Sequence, residues 1–281
     1  MAEVNNNLSV TFWGTRGSIA CPGPDTIRYG GNTSCLEVMC GNKRLIFDGG
    51  TGLPNLGRKI MTEPVPSELP VDLLLTHTHL DHIVGIPFFA PLHIPGNQVR
   101  LWAGHLLPNR TLKQTLSDMM APPLFPIPPE IFQADVAFHD FEPQSPPDVG
   151  DGIKIRTAPL NHPNGATGYR VDFAGKSVCY ITDTEHVPGR PDQNILDLVQ
   201  DADLIIYDST YTDEEFDRFV GFGHSTWSEG VRLADAANVG RLVVFHHDPS
   251  HNDVFMDGIA AEVEKVRPGT IVAKEGETLT L

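Results

Sequence analysis

Three observations predict an α/β (α+β) fold of two sheets packed face to face with helices outside. The first part of the chain reads as strands joined by short turns. The last part alternates apolar strand-like runs with helical runs. At 281 residues and 40% apolar content the chain can bury a sizeable core, and no linker, repeat or charge block divides it, so residues 1–281 read as one domain.

LSVTFWGT at 8–15, TSCLEVMC at 33–40 and RLIFDGG at 44–50 have strand character, and Gly41-Asn42 is a hairpin turn between the last two. A helix is predicted over 51–61, followed by a buried strand, VDLLLTH, at 71–77. From 83 to 150 prolines gather in APPLFPIPPE and EPQSPPD around one amphipathic stretch at 110–120. That composition is too Pro-rich for core sheet, although VRLWAG and VAFHDFE could each be a strand. The segment is either a lid or specificity element, or a plain surface excursion. Beyond 150, GIKIRTAPL, TGYRVDFAG and KSVCYITDT read as strands, the last two joined at Gly175-Lys176. Helix 193–200, strand ADLIIYDST, helix 225–238, strand RLVVFHH, helix 253–267 and strand TIVAKEGETLTL complete the chain. Ser225 is the expected N-cap of its helix, and Glu229 lies early enough to favour the dipole.

The formal net charge of −16 disfavours non-specific nucleic-acid binding, so no long nucleic-acid partner is expected. MAEVNNNLSV lacks the basic flank and apolar run of a secretory signal, and no segment approaches the ~20 apolar residues of a membrane-spanning helix. The chain reads as soluble and cytoplasmic. The four cysteines Cys21, Cys35, Cys40 and Cys179 form no Cys-x-x-Cys pair, and Cys35 and Cys179 sit in apolar runs as buried thiols. Any metal site must therefore use imidazole and carboxylate.

Such groups crowd into LLLTHTHLDH at 73–82, whose last six positions hold three histidines and one aspartate. Strand alternation would aim His77 and His79 the same way, and a helix starting there would bring Asp81 and His82 back over the same point. Buried polar groups at that density need partners to offset their desolvation, which a metal ion supplies. Further candidates end later strands: His162 in APLNHPNG, Asp183 in CYITDT and His246 in LVVFHHDP.

This pattern, with Asp48 in IFDGG upstream, resembles the metallo-β-lactamase superfamily over nearly the whole chain. The resemblance implies a four-layer αββα sandwich with a two-metal site at the edge between its sheets. It implies that His77, His79 and His162 hold one ion, Asp81, His82 and His246 the other, and that Asp183 bridges them. Asp48 matches a carboxylate that orients the ligands from behind. Of the adjacent His246 and His247, alternation lets only one face the metals. The family's pattern selects His246 and leaves His247 to hydrogen bonding behind the site or in the core. Zinc suits such ligands, as do manganese and iron.

Two divalent cations can acidify water to hydroxide near neutral pH and neutralise charge on a phosphoryl or acyl oxygen. An alkoxide leaving group gains further from a proton donor. Asp208 in YDST and His224 in GHSTW form a candidate pair, the carboxylate raising the imidazolium fraction of the ring. His224, Asp208 and the ligand Asp81 are thus the catalytic candidates. FWGTRGS, YDST and GHST narrow the resemblance to the ribonuclease Z and cyclic-nucleotide phosphodiesterase branch, in which Asp208 stands where ribonuclease Z usually has glutamate. Arg16 could bind a phosphate oxygen or a surface carboxylate, and His186 could touch substrate or lie idle in a loop.

Ribonuclease Z also implies a protruding basic arm for transfer RNA, and no such arm is visible between 162 and 208. The leading expectation is a phosphodiesterase for a small phosphodiester, first a cyclic nucleotide, attacked by metal-activated hydroxide. The alternatives are transfer-RNA 3′ processing, lactone, lactam or thioester hydrolysis, and a non-enzymatic metal-binding sensor. The resemblance also suggests a homodimer.

Overall fold

The computed structural model describes residues 5–63, 70–143 and 145–281; residues 1–4 of the N-terminal stretch and Gln144 of EPQSPPD lie outside them. In chain order the elements are β1 (Leu8–Gly14), β2 (Cys35–Cys40), β3 (Lys43–Phe47), α1 (Leu53–Thr62), β4 (Val71–Leu75), α2 (Leu80–Ile83), β5 (Gln98–Ala103), α3 (Leu112–Met119) and β6 (Asp135–Asp140). Then come β7 (Lys154–Leu160), β8 (Ala166–Phe173), β9 (Lys176–Ile181), α4 (Gln193–Val199), β10 (Leu204–Asp208), α5 (Asp213–Phe216), α6 (Trp227–Ala236), β11 (Arg241–Phe245), α7 (Asp253–Val266), β12 (Ile271–Val272) and β13 (Thr278–Thr280).

Two sheets result, one of seven strands in the order β13-β1-β2-β3-β4-β5-β6 and one of six in the order β12-β11-β10-β9-β8-β7. Each has an antiparallel half and a parallel half: β3 through β6 run parallel in the first, and β9 through β12 in the second. Period-2 alternation sorts side chains into layers. In β10 and β11, Leu204, Ile206, Val243 and Phe245 enter the core between the sheets. Their neighbours Ile205, Tyr207, Leu242 and Val244 pack outward with Ile195, Val231 and Val263 of α4, α6 and α7. On the first sheet, Leu73, Leu75 and Ile46 pack outward with Leu53 and Leu56 of α1 and Leu112 and Leu116 of α3. Helix, sheet, sheet, helix is the four-layer αββα sandwich expected.

Three expectations need correction. The 83–150 segment does supply core sheet: β5 and β6 pair in parallel beside β4, with Val99, Leu101 and Ala103 fully buried. Its prolines fall between these strands and after them, so none interrupts a ladder. The C-terminal run TIVAKEGETLTL is two short strands, since a turn through Gly276 (φ 81°) carries the chain from β12 in the second sheet to β13 in the first. The cap of α6 is Thr226, whose side chain accepts from the Glu229 amide. Ser225 instead meets the Tyr207 hydroxyl and His186.

All four cysteines carry free thiols, and Cys35, Cys40 and Cys179 are buried. Among the described residues no helix is long and apolar enough to cross a membrane.

Candidate metal centre

Strands of both sheets end where the two sheets meet, and several of these ends carry a polar residue. Asp48 follows β3, Asp208 ends β10, and His246 follows β11. Thr76 to His82 follow β4, Asp183 stands two residues past β9, and His162 two past β7. The backbone leaves strand geometry abruptly: Asp48, Asp183 and His246 all have positive φ, at 61°, 58° and 63°. That region disfavours side chains, although aspartate and histidine tolerate it best, and its recurrence at three facing strand ends marks a functional rim.

These residues converge. His77, His79 and His162 each offer a ring nitrogen within 4.8 Å of the others, and Asp81, His82 and His246 form a second such group. Asp183 lies between them, Oδ1 standing 3.7 Å from both His77 Nε2 and His162 Nε2. Its Oδ2 lies 3.2 Å from His82 Nε2 and 3.3 Å from His246 Nε2. Asp81 Oδ2 is 3.2 Å from His82 Nε2 and also accepts from the Ser18 amide at 2.8 Å. Strand alternation is not what brings His77 and His79 together, because β4 ends at Leu75. The turn into α2 does this, with His79 as its N-cap and Asp81 and His82 in its single turn.

The hydrogen bonds behind the rings fix which nitrogen faces inward. His82 Nδ1 donates to Asp48 Oδ2 at 2.8 Å, and His162 Nδ1 donates to the Gly223 carbonyl at 2.8 Å. The Thr76 hydroxyl donates to Asp48 and so accepts from His77 Nδ1 at 3.1 Å. The Thr210 hydroxyl donates to Asp208 at 2.7 Å and so accepts from His246 Nδ1 at 3.0 Å. Four Nε2 atoms are left facing the cluster. Asp48 also takes the Thr76 amide at 2.8 Å and the Tyr180 hydroxyl at 3.0 Å, so this fully buried carboxylate is held from several sides.

The donor set fits divalent cations. Two ligands of one tetrahedral ion at about 2.0–2.2 Å stand about 3.3–3.6 Å apart. His82 Nε2 and His246 Nε2 are 3.4 Å apart and Asp81 Oδ2 and His246 Nε2 3.6 Å, within that range, while His162 Nε2 and His79 Nδ1 stand closer, at 3.0 Å. His77 Nε2 is buried with no hydrogen-bond partner. Burial holds His77 well below the ordinary imidazole range, which keeps its lone pair available.

Beside the cluster, His224 Nδ1 donates to Asp208 Oδ2 at 3.0 Å. Burial pulls this imidazole down, but the Asp208 carboxylate overrides it and raises the ring to about 9. Asp208 is anchored in turn by the amides of Thr210 and Thr184, at 3.1 and 3.2 Å. His224 Nε2 remains for another partner.

Arg16 and His186 sit in other settings than substrate binding, and His247 takes the core hydrogen-bonding role that is one of the two expected for it. Arg16 is fully buried and donates to the carbonyls of Gly30, Asp248 and His251, with no carboxylate among its partners. His186 bonds Ser225 and stacks on Phe216 at 4.1 Å, outside the cluster. His247 bonds the Ala273 carbonyl at 2.9 Å in the core, and burial drives its ring down to about 3. The real contribution of FWGTRGS lies in its neighbours. A Cβ on Gly17 would sit 2.4 Å from the His246 ring, so glycine makes room for that imidazole, while the Ser18 amide steadies Asp81. Ser18, Thr76, Thr210 and Tyr180 escape sequence reading because hydroxyls and amides carry no metal signature.

The chain resembles known proteins in the same span. Residues 43–247 match the family described as "Beta-lactamase superfamily domain". A protein named ribonuclease Z from Gemmatimonas aurantiaca is 26% identical over 328 aligned residues, covering 98% of this chain and 96% of that one. The metallo-beta-lactamase fold protein YhfI from Bacillus subtilis superposes with a TM-score of 0.74 at 21% identity, over 98% of this chain and 100% of that chain. A diphosphatase from the PhnP family superposes at 0.69 and 18% identity, over 98% and 97%. The family match encloses the whole cluster from Asp48 to His246 and the Asp208–His224 pair. Its full-length relatives carry the name ribonuclease Z, and the chain itself belongs to the beta-lactamase superfamily and is a metal-dependent hydrolase.

Proposed function

We propose that the chain acts as a single domain that hydrolyses a small phosphodiester, a cyclic nucleotide first among candidates, with two divalent metal ions. His77, His79 and His162 would hold one ion and Asp81, His82 and His246 the other, with Asp183 placed between the two groups to serve both. Zinc suits this set best, with manganese and iron as alternatives. When bound, two such cations supply water acidified toward neutral pH and positive charge for the phosphoryl oxygens. Asp48 and the Thr76 and Thr210 hydroxyls keep the ligand rings oriented without movement during turnover.

The observation that carries the phosphodiester reading is the Asp208–His224 pair at 3.0 Å, beside the cluster but bonded through Nδ1. Asp208 keeps the ring protonated and leaves Nε2–H to pass a proton to a departing alkoxide. Lactam or thioester cleavage does not call for a buried cationic donor at that place.

Transfer-RNA 3′ processing is the second reading, favoured by the name of the relatives. Two observations weigh against it. The net charge is −16, and the alignment with the Gemmatimonas protein spans 328 residues against 281 here, so that relative carries segments this chain lacks. The residues joining β9 to α4, 182–192, form a short loop with Arg190 as its one cation. The 83–150 segment remains the candidate lid or specificity element, its connections outside β5 and β6 being the parts that do not pair in the sheet.

Metal-loaded protein should be assayed on bis(p-nitrophenyl) phosphate, a panel of cyclic nucleotides, a precursor transfer RNA, nitrocefin and a lactone. Turnover of the phosphodiesters is expected. Activity confined to nitrocefin and the lactone would replace the reading, and cleavage of precursor transfer RNA alone would promote the second one.

A further inference from the structure

We infer that Glu185 is a positioning residue that locks together the loops carrying Asp183, His162 and His224. The inference rests on reading His224 as the proton donor. Glu185 lies two residues beyond Asp183, and its backbone is paired with the residue before His162. The Glu185 amide donates to the Asn161 carbonyl at 2.8 Å, and Asn161 Nδ2 donates back to the Glu185 carbonyl at 2.7 Å. Its side chain reaches the third loop. One oxygen, Oε2, accepts the amides of Gly221 at 2.6 Å and Gly223 at 3.0 Å.

Both glycines need the conformation this clamp holds, with φ of 94° and 88°. A Cβ on Gly223 would lie 2.3 Å from His162 Nδ1, so the backbone presses close to that ring. The Gly223 carbonyl accepts from His162 Nδ1 at 2.8 Å, and the next residue is His224. Packing holds the base of the turn, where Phe219 stacks on Tyr211 at 4.6 Å, but its tip is open, with Val220 and Phe222 59% and 62% exposed. The Glu185 oxygen therefore ties the tip of that turn to the Asp183 loop, reinforcing the bonds of Gly223 to His162 and of His224 to Asp208. A free turn would still carry every reacting group but would hold two of them less often in place.

Since a single oxygen accepts both amides, the side-chain amide oxygen of glutamine can replace it. Glu185→Ala and Glu185→Gln should be compared in the metal-loaded full chain by hydrogen exchange across residues 217–224 and by kinetics on 2′,3′-cyclic AMP and bis(p-nitrophenyl) phosphate. In Glu185→Ala, exchange should quicken about tenfold and kcat on the cyclic nucleotide fall about tenfold, with KM within about twofold, the scale of one lost charge-assisted anchor. The glutamine variant should stay within about twofold of the parent in both. Unchanged exchange in Glu185→Ala overturns the inference. So does a glutamine variant as impaired as alanine, or a kcat loss that merely follows a fall in melting temperature. If the parent cleaves neither ester, it is the phosphodiesterase reading that fails, and the exchange result alone decides whether the clamp exists.

Discussion

The protein buries two clusters of charged side chains, one around Asp72 at the start of β4 and one around Asp183 at the rim where the two sheets meet, and they are built on opposite principles. Around Asp72 every oxygen is answered by a donor. Lys43 Nζ lies 2.7 Å from Oδ2, Arg100 spans both oxygens at 2.6 and 2.7 Å, and Trp102 Nε1 donates at 2.9 Å. Lys43 and Asp72 are 2% and 0% exposed, yet Lys43 also donates to the Pro70 carbonyl, so the pair is closed. Around Asp183 imidazole nitrogens and carboxylate oxygens crowd inward at 3.2–3.7 Å, one imidazole nitrogen has no partner, and φ is positive at three strand ends. Burial alone would lower His82, but the surrounding carboxylates raise it well above the ordinary imidazole range. A closed cluster stabilises a fold by itself, whereas an open one is complete only with a cation.

The largest expected effect tests the open cluster. Asp183→Asn should lower phosphodiesterase activity by at least about a thousandfold, the scale of removing a central electrostatic stabiliser. It should also uncouple stability from metal. The parent should melt at a lower temperature after chelation, as binding to the native state alone requires, and the variant at the same temperature with and without chelator. A variant that chelation still destabilises would show that Asp183 is dispensable for holding the ions.

Asp72→Ala should do the reverse. It strands Lys43 and Arg100 without their carboxylate, at a cost of about 3–5 kcal/mol in unfolding free energy by denaturant titration. The fraction that remains folded should keep the parent's kcat and metal content. Loss of metal in that variant would dissolve the distinction between the two clusters.

Next in size is His224→Ala, which removes no atom from the two ligand groups built on Asp183. Metal content should be unchanged, while turnover of alkyl-leaving phosphodiesters falls about 10²-fold and that of nitrophenyl esters much less. Equal losses on both would remove the proton-donor role. Asp48→Asn should be gentler, weakening metal affinity roughly 10–100-fold in competition with a chromophoric chelator, because it loosens His82 without removing a ligand.

Much of the open cluster was legible in the chain because its chemistry is carried by residue type. His77, His79, His82, His162, Asp183 and His246 follow apolar strands, and strand ends of one sandwich share a rim. Their supports were harder to read. Thr76 and Thr210 matter for where a hydroxyl proton points, Gly17 for the space it leaves, and Ser18 for its amide, all of which depend on which loop lies opposite. Arg16 was open for the same reason: a guanidinium in a Gly-flanked turn suits a phosphate oxygen or a surface carboxylate alike, and only the fold surrounds it with carbonyls from Gly30, Asp248 and His251. In the fold, composition averaged over 83–150 hid β5 and β6, because the prolines lie in the connections and not in the strands. The terminal run read as one strand because nothing local reveals that its two halves pair with different sheets.

The smallest effect is the most discriminating for the donor. Burial alone would lower His224, and it is Asp208 that lifts it to about 9. A general acid works only while protonated, so kcat/KM should fall as pH rises through the donor's value in the free enzyme. Bound cations beside the ring repel its charged form and move that fall below 9. The sign of the next change does not depend on them. Asp208→Asn removes the attraction and leaves the desolvation, so the fall must move to lower pH, with metal content intact. The shift should be visible on the cyclic nucleotide and muted on bis(p-nitrophenyl) phosphate, whose leaving group departs without a proton. An alkaline limb that stays in place would mean that the pair serves only to hold the loop, leaving the Asp183 cluster to carry the chemistry alone.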